Sequence, residues 1–128
     1  MRLLLDTHAF LWFVLDSPQL STSARALTAD PANDVLVSPA TCWEIAIKVS
    51  LNKLDLHTSF EDFMTRAIEG SQLELLPITT RHLSVVSRMP FHHRDPFDRL
   101  IIAQAVVENI GIVSVDPAFD SYGIARFW

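Results

Sequence analysis

The sequence predicts an α/β fold, an open parallel sheet with helices on both faces, and three observations predict it. Short apolar runs of strand length alternate with longer segments of helical period. The runs Arg2–Asp6 (RLLLD) and Asp34–Val37 (DVLV) are mostly apolar, as strands buried on both faces are. The segment Leu100–Val107 (LIIAQAVV) is apolar almost all round, which places a helix in the interior.

The elements follow in order. After the first strand, Phe10, Leu11, Val14 and Leu15 recur at helical spacing until Ser17-Pro18 breaks the pattern, and Ser21 caps a short helix to about Ala29. Asp34–Val37 is the second strand, and Ser38 with Pro39 is an N-cap with proline at the first helical position, opening a helix to about Leu51. Thr58 to Glu61 has capping-box spacing and Gly70 stands where a C-terminal cap belongs, with Phe60, Phe63, Met64 and Ala67 on one face between them. Leu73–Leu76 is a third strand, Thr79–Arg88 a helix ended by Pro90, and Phe91–Arg94 a loop. Asp95-Pro96 opens the apolar helix, and Ile112–Val115 and Ile124–Phe127 complete the strands.

At 128 residues the chain fits one domain over 1–128, since domains average about 150 residues. Ten Lys plus Arg against fifteen Asp plus Glu give a net charge of −5, which excludes a protein that grips nucleic acid by bulk positive charge. Positive charge is local. Between Leu75 and Arg94 there is no acid, while Arg81, Arg88 and Arg94 stand with His82, His92 and His93, a stretch suited to attract phosphate. The single cysteine, Cys42, forms no internal disulfide and no Cys-rich zinc site; it is expected to pack, and the chain to work in a reducing cytoplasm. Asp6 and His8 interrupt the apolar start, and no run approaches the roughly 18 residues of a membrane span.

In open parallel sheets the site lies beyond the carboxyl ends of the strands. Asp6 closes the first strand and Asp116 the fourth, so both carboxylates reach that edge. Glu44 is an acid in a largely apolar helix, and Asp98 stands at the rim of a core-facing stripe with Ile101, Ile102 and Ala105. Acids from four separated segments repel one another unless a cation joins them. Mg²⁺ and Mn²⁺ prefer carboxylate and water oxygens, and a divalent ion lowers the pKa of water enough to hydrolyse a phosphodiester near neutral pH.

Each acid also has a plainer reading. Asp95 with Pro96 and Asp98 is an ordinary capping arrangement, Glu44 and Lys48 are spaced for an i, i+4 ion pair, and Asp6, Asp116 and Asp120 suit turns at strand ends. His92 and His93 are expected to be exposed loop residues that bind neither phosphate nor metal, and Phe10, Trp12 and Phe13 to be core.

The segments LLLDTHAFLW (3–12), WEIAIKVSLNKL (43–54), LPIT (76–79), HHRDPFDRLIIAQA (92–105) and SVDPAFDSYGI (114–124) together resemble the PIN-domain ribonucleases of the VapC type, toxins of bacterial and archaeal toxin–antitoxin pairs. The resemblance covers essentially the whole chain, and the HHRDPFDRLIIAQA block is its most specific part. It implies a three-layer α/β/α fold and makes Asp6, Glu44, Asp98 and Asp116 the acids that hold Mg²⁺ or Mn²⁺, with Asp95 auxiliary. It further implies an RNA substrate, a homodimer, and an antitoxin whose C-terminal segment crosses the active-site groove. Asp6 and Asp116, on rigid strand ends, are the expected direct ligands. Ser114 stands where the family has Thr, and Asn52 where it has Gly; Ser keeps the hydroxyl and Asn tolerates a left-handed turn. Two other readings compete, a Mg²⁺-dependent phosphatase with Asp6 as nucleophile and a non-catalytic binding module of the same fold.

Overall fold

The computed structural model describes residues 1–128. Five parallel strands form one sheet in the order β3-β2-β1-β4-β5: β1 (Arg2–Leu5), β2 (Asp34–Val37), β3 (Glu74–Leu75), β4 (Gly111–Val113) and β5 (Arg126–Phe127). Six α-helices and a 3-10 helix (Pro117–Tyr122) connect and cover them: α1 (Thr7–Val14), α2 (Thr22–Ala29), α3 (Pro39–Ser50), α4 (Phe60–Gly70), α5 (Thr80–Arg88) and α6 (Pro96–Glu108). The architecture is the predicted three-layer α/β/α arrangement.

Alternation along the central strands divides the interior in two. Leu3, Leu5, Val35, Val37 and Val113 face a core built with Phe10, Ala24, Ile45 and Phe63 from α1 to α4. Leu4, Leu36 and Ile112 face the opposite core, with Ile101, Ile102 and Ala105 of α6. Both faces of β1 are thus fully buried, which is why its sequence is a continuous leucine run. Phe10 is completely buried, while Trp12, Phe13 and Cys42 pack at the edge of the first core.

Some local expectations shift. Ser59, not Thr58, caps α4: its Oγ accepts the Asp62 N–H at 3.1 Å, and no Thr58–Glu61 box forms. Gly70 is the last helical residue, and the left-handed turn after it falls on Gln72 (φ 57°). Asn52 takes the left-handed conformation expected of it (φ 56°). The edge strands are shorter than the apolar runs suggest, and β4 ends at Val113 rather than Val115. The Ser114 N–H still donates to Phe127 O (3.1 Å), and β5 stops there, so the ladder has no partner beyond it.

Gly111 is where the last pairing demands a small residue. A Cβ there would stand 2.6 Å from Cε2 of Phe127 and 3.3 Å from the Ala125 carbonyl oxygen. Gly111→Ala is expected to cost about 1 to 2 kcal/mol through overpacking, read as a lower urea midpoint with an unchanged slope.

Candidate metal centre

The strand order reverses direction between β1 and β4, and the crevice beyond the carboxyl ends of these neighbours is where such sheets bind ligands. Asp6 follows β1 directly and is the N-cap of α1, its Oδ1 accepting the Ala9 N–H at 2.8 Å. Asp116 comes three residues after β4 and caps the 3-10 helix, its Oδ1 accepting the Ala118 N–H at 2.9 Å. Asp95 caps α6 in the same way, with Oδ1 accepting from Phe97 N (2.8 Å) and Asp98 N (3.1 Å). In all three, one carboxylate oxygen is fixed by the backbone of the helix that follows. The cap holds the side chain rigid, and the second oxygen of Asp116 is turned to His93 Nε2 at 3.0 Å. The capping and turn readings of these aspartates are therefore correct and do not compete with a role in the site.

Asp98, at the third position of α6, and Asp116 are brought together directly. His93 Nε2 lies 3.0 Å from Oδ2 of each. His93, Asp98 and Asp116 offer ligand atoms all within 4.8 Å of one another. His93 was expected to be an exposed loop residue, and its side chain is only 15% exposed. The reason lies in distant residues. The buried Arg99 guanidinium donates to the carbonyls of Pro90 (3.0 Å), Val86 and Met89 (both 3.3 Å) and His93 (3.4 Å) and lies 3.9 Å from the centre of the Phe91 ring. Tyr122 Oη accepts the His93 N–H at 2.8 Å and donates to the Pro90 carbonyl at 2.9 Å. The Phe119 ring meets the imidazole edge to face. The adjacent PFHHRD text shows the histidine but not the clamp that turns it inward.

Asp6 and Glu44 lie near the trio without joining its contacts. Glu44 Oε1 accepts from Thr7 Oγ1 at 2.7 Å and its Oε2 is 3.2 Å from Lys48 Nζ, so the predicted i, i+4 ion pair forms. Burial raises the Asp6 carboxyl above the usual range, opposed by hydrogen bonds from Ser114 and the Ala9 N–H and by His8, with Asp116 adding to the rise. The Ser114 hydroxyl also accepts the Asp116 N–H at 3.0 Å, so one side chain ties both strand-end acids together. Burial pushes Asp98 up to about 7, and the charges of Asp95, Asp6 and Glu44 add to the rise. Each of the five acids singled out in the sequence thus belongs to one electrostatic neighbourhood.

Part of the acid-free stretch does not face the site. His82 is buried, with Nδ1 accepting the Thr79 N–H (3.0 Å) and Nε2 against Glu108 Oε1 (2.9 Å), and Arg88 folds onto Ser84. His92 and Arg94 are exposed on either side of His93. Asp120, expected as a turn residue, lies in the 3-10 helix and is held below its usual range by the Arg126 guanidinium (2.8 and 3.1 Å), which also donates to the Ser114 carbonyl.

The donor chemistry fits a hard divalent ion. The converging groups are carboxylate oxygens with one imidazole, they are partly desolvated, and a carboxyl group held near pH 7 by its neighbours is one that a cation would relieve.

The PIN domain family model matches residues 3–125, and the chain belongs to that family. PIN domains are in general nucleases, and PIN nucleases generally use divalent metals. Among solved structures, the chain is similar to VapBC2 from Rickettsia felis, bound to a DNA fragment from their promoter, at 18% identity and a TM-score of 0.74, covering 99% of this chain and 98% of that one. FitAB bound to an IR36 DNA fragment is similar at 21% identity and a TM-score of 0.70, covering 98% and 93%. FitAcB from Neisseria gonorrhoeae is similar at 22% identity and a TM-score of 0.70, covering 98% and 96%. At these identities the likeness shows the fold. No curated protein matches the chain in sequence.

Proposed function

We propose that this chain is a divalent-metal-dependent endoribonuclease, the toxin of a toxin–antitoxin pair, working in the cytoplasm as a homodimer. The observation that carries the reading is the convergence of Asp98 and Asp116 on one point of the crevice of a PIN domain, with Asp6, Glu44 and Asp95 in the same field. Asp98 and Asp116 would hold Mg²⁺ or Mn²⁺, with Asp6 and Glu44 as the further acids of the site and Asp95 auxiliary. When bound, the ion supplies an activated water and countercharge for the phosphodiester.

The chain's own residues do the rest. Backbone caps fix one oxygen each of Asp6 and Asp116, which keeps the site from collapsing around a small ion. Thr7 and Lys48 each engage one oxygen of Glu44 and fix its side chain. His92 and Arg94, exposed beside His93, meet the RNA backbone where the rest of an acidic chain would repel it.

A protein partner is supported by the complexes in which the similar folds occur and by exposed apolar side chains on the helices, among them Trp43 (63% exposed), Leu83 (49%) and Val106 (42%). The test is incubation of the purified protein with total cellular RNA. Discrete fragments with Mg²⁺ or Mn²⁺, and none with EDTA, are expected; a folded protein that leaves the RNA intact under both conditions would count against the reading.

A further inference from the structure

We propose that His93 is a positioning residue of this centre, an N–H donor to Asp116 that holds it beside Asp98 and leaves ligation of the ion to oxygen atoms. His93 Nδ1 accepts the backbone N–H of Asp95 at 3.2 Å, and a nitrogen that accepts carries no proton. The ring proton is then on Nε2, the atom 3.0 Å from an oxygen of each aspartate. A protonated nitrogen has no lone pair for a metal, so ligation through Nε2 would require the proton to move to Nδ1 and the Asp95 bond to break.

The surroundings oppose that change. Asp95 N belongs to the residue that caps α6, so it is fixed by the helix. The loop bearing His93 is fastened by Arg99 and Tyr122, and the ring is seated against Phe119. Each fastening keeps Nε2 aimed between the two carboxylates. Partners of this kind, bound to the ligands rather than to the metal, typically change metal affinity about 10- to 100-fold when removed. The same tautomer also bears on the choice of ion. With oxygen ligands alone the centre favours hard Mg²⁺ and Mn²⁺, whereas a ligating imidazole would draw it toward Zn²⁺.

The proposal rests on the divalent centre proposed above, and its test separates the two. ¹⁵N NMR of the histidine rings, without and with Mg²⁺, reads the tautomer in the unaltered protein. Mn²⁺ binding by electron paramagnetic resonance, with Mg²⁺ and Zn²⁺ as competitors, is compared for wild type, His93→Ala and His93→Gln. The glutamine amide places an N–H donor near the position of Nε2 without an imidazole.

The expected results are a bare Nδ1 and a protonated Nε2 that persist with Mg²⁺, Mn²⁺ affinity about 10- to 100-fold lower in His93→Ala, and recovery of most of it in His93→Gln. A proton on Nδ1 in the presence of metal, or His93→Gln failing as badly as His93→Ala with selective loss of Zn²⁺ binding, would make His93 a ligand and overturn the proposal. Unchanged Mn²⁺ affinity in a folded His93→Ala would overturn it alone. Wild type that binds neither Mn²⁺ nor Mg²⁺ would overturn it together with the metal centre.

Discussion

Asp98→Asn is expected to reduce metal-dependent RNA cleavage by more than about 100-fold, because a bound ion contributes several kcal/mol of charge stabilisation and this residue is one of the pair on which the donors converge. The amide keeps the size and planarity of the side chain, so the Asp95 cap of α6 and the core below it remain. The loss therefore reports the charge. Asp116→Asn is expected to behave alike, with its Oδ1 cap to Ala118 preserved. Growth arrest on induced expression should disappear with either substitution at equal protein level; toxicity that persists would place the function elsewhere on the molecule.

The same variant is expected to be more stable than wild type when metal is removed. Asp98 is an acid whose folded-state pKa is raised to about 7 by burial and by Asp95. Between its ordinary value near 4 and about 7 the folded protein binds a proton that the unfolded chain has released, so stability falls as pH rises through that window. Well below pH 4 the carboxyl is neutral in both states and the difference vanishes. Asparagine carries no such liability. In EDTA at pH 7.5, Asp98→Asn should gain about 2 kcal/mol over wild type, less than the full shift implies because solvent reaches part of the group, and the gain should shrink toward zero at pH 4. Adding Mn²⁺ should stabilise wild type through linkage and leave Asp98→Asn nearly unmoved. Urea melts at the two pH values measure this; a variant less stable than wild type at pH 7.5 in EDTA would contradict the picture of an acid held out of its preferred charge state.

Much of the fold was legible because its central elements are over-determined. The leucine run of β1, the DVLV of β2, Ser38-Pro39 at the head of α3 and Asp95-Pro96 at the head of α6 each combine a pattern with a start signal, and all four appear where expected. The edge strands were harder to bound because β3 and β5 extend only as far as a neighbour offers hydrogen bonds, which is information held in β2 and β4. Ser59 prevailed over Thr58 because two adjacent hydroxyls compete for one cap and local sequence does not rank them.

The candidate site was legible as a set of acids and illegible as an arrangement. Cap, turn and metal roles look like alternatives when one reads a residue as a letter, but a carboxylate has two oxygens and Asp6, Asp95 and Asp116 spend only one on a cap. His93 was missed for the opposite reason. Its inward turn depends on contacts with Asp95, Arg99 and Tyr122, the last 29 positions away, which the loop residues Phe91–Arg94 alone do not reveal. A histidine two residues before a helix-capping aspartate, with an arginine four residues into the helix, is the signal that could have found it.

Cleavage by water directed at the phosphorus, as proposed for these acids, is tested most directly by the ends of the product strands. A histidine beside two carboxylates could in principle serve acid–base cleavage through the ribose 2′-hydroxyl, which leaves a 2′,3′-cyclic phosphate and needs no metal. Fragments made by the purified protein should carry no cyclic phosphate and should not form at all in EDTA. Cyclic phosphate ends that form in EDTA and depend on His93 would contradict the metal-centred account.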